Sequence, residues 1–87
     1  GKEFTPEMGE SNPFLHMGMH IAILEQFSTN RPSGIRATYQ QLTRKVGDAH
    51  GAEHKVMECL GSMLWQAQRE GTAPDEEAYL ECVKGLI

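Results

Sequence analysis

Four histidines are the residues of this sequence best suited to chemistry, and they form two pairs with the same spacing. His16 and His20 lie in the segment HMGMH, and His50 and His54 lie in HGAEH. A separation of four residues puts both imidazoles of a pair on one face of a helix. Imidazole nitrogens combined with a carboxylate are ligands that divalent zinc, iron and nickel accept. Two such pairs in 87 residues therefore indicate a metal site.

The directions of these side chains favour a site between two helices. On the first predicted helix, His16 and His20 fall inside the apolar stripe, which an amphipathic helix normally keeps free of ionisable groups. The other members of this stripe are Met19, Ile23, Leu24 and Phe27. On the third predicted helix, Glu53 falls inside the apolar arc, and His50 and His54 flank it. We therefore expect the first and third helices to face each other through these groups.

The candidate metal ligands are four imidazoles and two carboxylates. They are His16, His20, His50, His54, Glu53 and Glu58. Glu53 is expected to act as a ligand or as a base beside the metal, and Glu58 is an outer candidate. Zinc is the expected ion for mixed histidine and carboxylate ligation, with iron or nickel as alternatives. Two other interpretations stay open: a buried His–Glu hydrogen-bond network in a noncatalytic interaction module, and histidines that simply lie on the surface.

The segment HGAEH also matches HxxEH, a zinc-peptidase pattern in which two histidines hold the metal and the glutamate activates water. Such peptidases are large and need a further acidic ligand and a substrate cleft, for which 87 residues leave little room. The pattern therefore does not favour a peptidase. A small metal-dependent hydrolase or transferase remains an alternative, although the sequence as a whole leans against an enzyme.

Helix-start and helix-stop residues predict an all-α fold, a small antiparallel bundle of three to four helices. The predicted helices cover residues 13–28, 34–46 and 49–70, with a fourth after the segment TAPD. Asn12 and Asp48 are N-cap residues, Ser33 is expected to cap the second helix, and Gly47 and Gly71 are stop residues. Residues 1–11 are expected to be disordered or extended, and residues 12–87 to form the bundle domain.

Charge and hydropathy exclude several classes of partner. The net charge of −4 gives no general case for nucleic acid or membrane binding. One acid-free region is basic, and we interpret it as a solvated helix face: Arg31, Arg36, Arg44 and Lys45. No apolar run approaches the roughly 18 residues that a membrane span needs. The sequence therefore predicts neither a membrane protein nor a nucleic-acid-binding protein.

The two cysteines favour a reducing compartment. Cys59 and Cys82 have no CxxC spacing and no disulfide-framework density, so we expect two free thiols in the cytoplasm. Their spacing alone leaves pairing open. Cys82 lies on the apolar side of the fourth helix and is expected in the core.

Four blocks of the sequence resemble a family of uncharacterised proteobacterial proteins that share the domain of unknown function DUF1841. The blocks are TPEMGESNPFLHMGMHIAILEQ, RPSGIRATYQQL, GDAHGAEHKVMECLGSMLWQAQREG and PDEEAYLECV. The resemblance extends from Thr5 to Val83 and implies a bacterial, cytoplasmic, helical protein without an activity to transfer. The family pattern includes the candidate histidines and glutamates together with Glu25 and Trp65, while Ser62 stands where members favour Glu.

The resemblance also implies that this chain corresponds to the C-terminal portion of longer family members. Missing N-terminal helices would then normally cover an apolar face of the bundle. A homodimer could cover the same face instead. The expected partners are thus a metal ion and either that N-terminal segment or a second copy of the chain.

Overall fold

The computed structural model describes residues 12–87, and this part of the chain folds into four helices joined by short connections. The helices are α1 (Pro13–Thr29), α2 (Ile35–Val46), α3 (Ala49–Glu70) and α4 (Glu76–Lys84). No strand occurs between residues 12 and 87. The prediction of an all-α helical bundle is confirmed. The segment 1–11, predicted to be disordered or extended, lies outside the described residues.

Local hydrogen bonds explain where most helices begin and end. The Asn12 side chain accepts hydrogen bonds from the first amides of α1, and the Asp48 side chain does the same for α3. Gly47 ends α2 with a left-handed φ of +94°. The predicted cap at Ser33 is wrong, because Gly34 has a φ of +98° and therefore cannot be a helical residue. Helix α2 begins one residue later than expected, at Ile35.

The core lies around α3, which packs against each of the other three described helices. All four helices contribute to it. The largest fully buried side chains are Ile23, Ile35, Leu42, Val56, Tyr79 and Val83. Burying an aliphatic side chain of this size contributes roughly 1.5–3 kcal/mol, so these contacts fix the position of α1 relative to α3.

A disulfide between Cys59 and Cys82 links α3 to α4. The Cα atoms of the two residues are 5.8 Å apart, a separation at which a disulfide forms readily. The prediction of two free thiols is therefore wrong, because helix packing juxtaposes residues that are 23 positions apart. Cys59 is buried, whereas Cys82 is exposed and does not belong to the core as predicted.

Helix α1 is apolar on more than one face. Met19 and Ile23 are buried in the core. Four large side chains are instead exposed to solvent: Phe14 by 85%, Met17 by 62%, Ile21 by 59% and Leu24 by 58%. The prediction that Leu24 belongs to the buried stripe is therefore wrong, since apolar residues occur almost all round this helix. None of the described helices is both long and apolar enough to cross a membrane.

Candidate metal centre

Packing of α1 against α3 brings three of the four histidines together. His16 and His20 come from α1, one helical turn apart, and His54 comes from the second turn of α3. Each imidazole offers a ring nitrogen, and the three nitrogens all lie within 4.8 Å of one another. The ring centroids of His20 and His54 are 5.3 Å apart, and those of His16 and His54 are 5.7 Å apart. We call these three residues the histidine cluster.

His20 connects the histidine cluster to a carboxylate on the facing helix. Its Nδ1 lies 2.5 Å from Oε1 of Glu53, and both side chains are mostly buried. Because an ionised carboxylate can only accept, His20 carries its proton on Nδ1 when Glu53 is ionised. The Nε2 atom of His20 then keeps its lone pair and lies 3.0 Å from Nε2 of His16.

His54 is oriented by the backbone of its own helix. Its Nδ1 lies 3.1 Å from the carbonyl oxygen of His50, which can only accept a hydrogen bond. The proton of a neutral His54 is therefore on Nδ1, and Nε2 is the atom with a free lone pair. His20 and His54 thus each hold the tautomer that ligates a metal through Nε2, with the other nitrogen bound to an oxygen.

The separation between the ring nitrogens of His16 and His20 fits two ligands of a single metal ion. Two histidine nitrogens bound to a tetrahedral zinc at about 2.0–2.1 Å lie about 3.3 Å apart. The observed 3.0 Å between the Nε2 atoms of His16 and His20 is close to that value. A ring nitrogen of His54 lies within 4.8 Å of a ring nitrogen of each of the other two histidines. No carboxylate from residues 12–87 joins the three imidazoles in the cluster.

The Nδ1 atom of His16 is a buried polar atom without a hydrogen-bond partner. Buried polar atoms in native proteins are nearly always paired, and leaving one unpaired costs about 1–3 kcal/mol. A network whose only role is to specify packing would be expected to satisfy every nitrogen. Metal ligation through Nε2 of His16 would leave this Nδ1 unpaired as well, so the unpaired atom favours neither explanation.

The structure separates the six sequence-derived candidates into two groups. His16, His20, His54 and Glu53 lie together between α1 and α3. His50 is exposed and contacts the His54 ring edge-on, with centroids 4.2 Å apart, but it does not join the cluster. Glu58 is also exposed and lies outside the cluster.

Sequence reasoning missed a cavity of about 480 Å³ between α1 and α3, beside the start of α4. Its apolar walls come mainly from Leu15, Met19, Ala22, Leu60, Met63 and Leu64. The Tyr79 hydroxyl donates a 2.6 Å hydrogen bond to Oε1 of Gln26, and both residues line this cavity. Burial raises the pKa of the Tyr79 phenol well above its ordinary value. The only sequence signal for this site is a glutamine among the apolar residues of α1.

The fold and the cluster define this protein as a small α-helical bundle with an interhelical histidine–glutamate site. The chain belongs to the family described as Domain of unknown function (DUF1841), whose family model matches residues 1–85. The family resemblance seen in the sequence is thereby confirmed. No curated protein and no solved structure matches the chain.

Proposed function

We propose that this protein binds one divalent transition-metal ion between α1 and α3, through His16, His20 and His54. The observation that carries the proposal is the convergence of three imidazole nitrogens from two helices to within 4.8 Å of one another. Zinc is the expected ion, because it accepts histidine nitrogens in a tetrahedral arrangement, and iron and nickel are the alternatives.

Two oxygen acceptors support the proposed ligands from behind. Glu53 accepts from Nδ1 of His20, and the backbone carbonyl of His50 accepts from Nδ1 of His54. Metal-binding histidines nearly always donate their second ring N–H to a carboxylate or carbonyl, which fixes the tautomer and makes the ligating nitrogen more basic. In this proposal Glu53 orients His20 and is not itself a ligand.

Three imidazoles leave one position of a tetrahedral ion for a water molecule or another small ligand. Three protein ligands and one exchangeable position is the arrangement of catalytic zinc sites, whereas structural zinc sites have four protein ligands. A metal-dependent hydrolase or transferase is therefore the second candidate function. Substitution with cobalt tests it, since azide or cyanide changes the visible spectrum only if an exchangeable position exists.

The competing explanation is a metal-free hydrogen-bond network that holds α1 against α3. The contacts from His20 to Glu53 and to His16 are the observations in its favour. Under that explanation, substitution of His16 or His20 destabilises the fold whether or not metal is present. Under the metal proposal, the same substitutions abolish a stabilisation that appears only when metal is added.

The deciding experiment is zinc titration of metal-free protein by calorimetry, combined with elemental analysis. We expect about one equivalent of zinc per chain, and we expect His16→Ala and His54→Ala each to weaken binding at least about 100-fold. His50→Ala is the matched control, because this histidine lies on α3 but outside the cluster, and it should retain binding. Less than about 0.1 equivalent of zinc, iron or nickel after refolding with each metal, and no thermal shift on adding it, would refute the proposal.

A further inference from the structure

Helix α1 presents a continuous row of exposed hydrophobic side chains on the face turned away from the core. Phe14, Met17, Ile21 and Leu24 form this row, which we call the α1 stripe. Their spacing of three, four and three residues keeps all four on one side of the helix. Scattered exposed hydrophobic residues are common in proteins, but a contiguous apolar row marks a surface that binds another molecule.

We propose that the α1 stripe packs antiparallel against the α1 stripe of a second copy of this chain. The spacing of the row is the same from either end, so an antiparallel copy presents four apolar side chains at the same positions along the helix. Phe14 of one chain then lies opposite Leu24 of the other, and Met17 opposite Ile21. A twofold axis at the centre of the row makes each contact occur twice, as the interface of a symmetric dimer requires.

The charges of α1 are compatible with this pairing. Between Pro13 and Thr29 the helix contains no lysine or arginine, and Glu25 is its only carboxylate. In the same register, Glu25 of one chain lies opposite Pro13 of the other, at the positive end of that helix's dipole. No acidic residue occupies the first turn of α1 to repel it. Among the residues of α1, Pro13–Thr29, this register therefore brings together no like charges.

The area of the α1 stripe is sufficient for a small dimer. From their exposed fractions, the four side chains leave on the order of 500 Å² of apolar surface per chain, the size of the largest apolar patch on a typical monomer, which is often functional. Pairing two stripes removes at most about 1,000 Å² of surface from these side chains, which is near the lower limit for a specific interface. At this size a weak, reversible dimer is the expected outcome.

The interface and the histidine cluster occupy different faces of α1. At about 100° per residue, the centre of the α1 stripe lies about 100° around the helix from the midpoint between His16 and His20. None of the four stripe residues belongs to the cluster. Dimerisation is therefore expected in the metal-free protein, and it stands or falls independently of zinc binding.

The test is sedimentation equilibrium of the full chain in the presence of a chelator. The wild-type protein should have twice the mass of one chain at about 100 µM, whereas Met17→Glu and Ile21→Lys should each weaken association at least about tenfold. The double variant Met17→Glu/Ile21→Lys should recover most of the lost association. In the proposed register, the introduced glutamate of each chain faces the introduced lysine of the other.

Two further variants make this rescue specific. Gln41→Glu changes an exposed residue of α2 by the same charge as Met17→Glu and should leave the dimer intact. Met17→Lys/Ile21→Lys places like charges opposite each other and should remain dissociated. Circular dichroism confirms that every variant is helical, so that loss of association is not loss of fold.

Four results would overturn the proposal. The first is a monomer at about 100 µM, which includes the case in which residues 1–11 cover the stripe. The second is a dimer that neither single substitution weakens, since it would then form through another face. The third is a double variant that associates no more tightly than the single variants, which would reject the antiparallel register. The fourth is association that appears only when zinc is added.

Discussion

At the scale of single residues, the proposed role of Glu53 in orienting His20 rests on one hydrogen bond. Its carboxylate accepts from His20, whose other nitrogen lies against His16. We predict that Glu53→Gln weakens zinc binding by roughly 10–100-fold, the usual effect of removing a carboxylate that orients a metal-binding histidine. Zinc titration of the metal-free variant measures this effect.

Glu58 provides the matched control for that substitution. It lies on the same helix and is exposed, and Glu58→Gln removes the same charge. If both variants lost affinity equally, the effect would come from the net charge near α3 and not from orientation of His20. Unchanged affinity in Glu53→Gln would remove Glu53 from the site.

Tyr79 gives a pH-dependent prediction, because burial raises the pKa of its phenol above the ordinary value of 10.0. The unfolded chain releases this proton near its ordinary pKa, while the folded chain retains it. Unfolded protein therefore binds fewer protons above about pH 10, and the free energy of unfolding must fall as the pH rises further. Below about pH 10 the Tyr79 phenol is protonated in both states, so its ionisation does not lower the free energy of unfolding there.

We predict that this group alone lowers the free energy of unfolding by about 1 kcal/mol per pH unit above pH 10. Denaturant unfolding of wild type and Tyr79→Phe at pH 8 to 11 isolates the effect, because every other group titrates in both proteins. At neutral pH the variant should be less stable by about 1–2 kcal/mol, since Gln26 loses its donor. Parallel pH curves for the two proteins would contradict the prediction.

The sequence predicted that histidines and a glutamate lie between the first and third helices, but it could not choose among the histidines. By helical geometry His50 lies nearer the apolar arc of α3 than His54 does, yet the packing of α1 against α3 places His54 in the cluster. Glu53 could be placed in the interior because its position within the arc does not depend on a side-chain rotamer. The sequence predicted that the partner of Glu53 is His16 or His20 on the facing helix, but it could not show that the partner is His20.

At the scale of the helices, one glycine ends a helix in a left-handed conformation, whereas another lies inside a helix. Gly47 ends α2 with a φ of +94°, whereas Gly18 lies inside α1, and an added Cβ at either position would meet nothing within 4 Å. Gly47→Ala should therefore destabilise the fold by about 1 kcal/mol through backbone strain alone. Gly18→Ala should stabilise it by up to about 1 kcal/mol, because alanine favours the helix.

Denaturant unfolding of the two variants at one protein concentration checks the opposite signs. The pair is informative because neither substitution creates a clash, so backbone conformation is the only difference between them. A stabilising effect of Gly47→Ala would mean that the left-handed turn is not required between α2 and α3.

Helix boundaries were largely predictable because the signals that set them are local. Asn12 and Asp48 bond to amides two or three residues away, so the sequence alone contains both partners. The faces of α1 were not predictable in the same way. A helix that is apolar almost all round has no single buried direction, and contacts with α2 and α3 decided that Met19 is buried while Leu24 is exposed.

At the scale of the whole molecule, the link between Cys59 and Cys82 could not be derived from spacing. Whether two cysteines pair depends on the separation of their Cα atoms, which here follows from the packing of α4 on α3. The expectation of a cytoplasmic protein rested partly on free thiols. A disulfide persists in oxidising compartments and is rare in a reducing cytoplasm, so the linked cysteines remove this argument for a cytoplasmic location.

We predict that reduction of the Cys59–Cys82 disulfide lowers the free energy of unfolding by about 3 kcal/mol. The disulfide closes a loop spanning 23 positions and so lowers the conformational entropy of the unfolded chain. Reduction restores that entropy and therefore favours unfolding. For a domain of this size the loss corresponds to roughly 10–20 °C in Tm. Thermal unfolding of the wild-type protein with and without a thiol reductant measures it, and Cys59→Ala/Cys82→Ser should melt at the same temperature in both buffers. The prediction would be contradicted if mass spectrometry found two free thiols in oxidising buffer, or if the reductant left the wild-type Tm unchanged. Either result would show that α3 and α4 hold together without the disulfide.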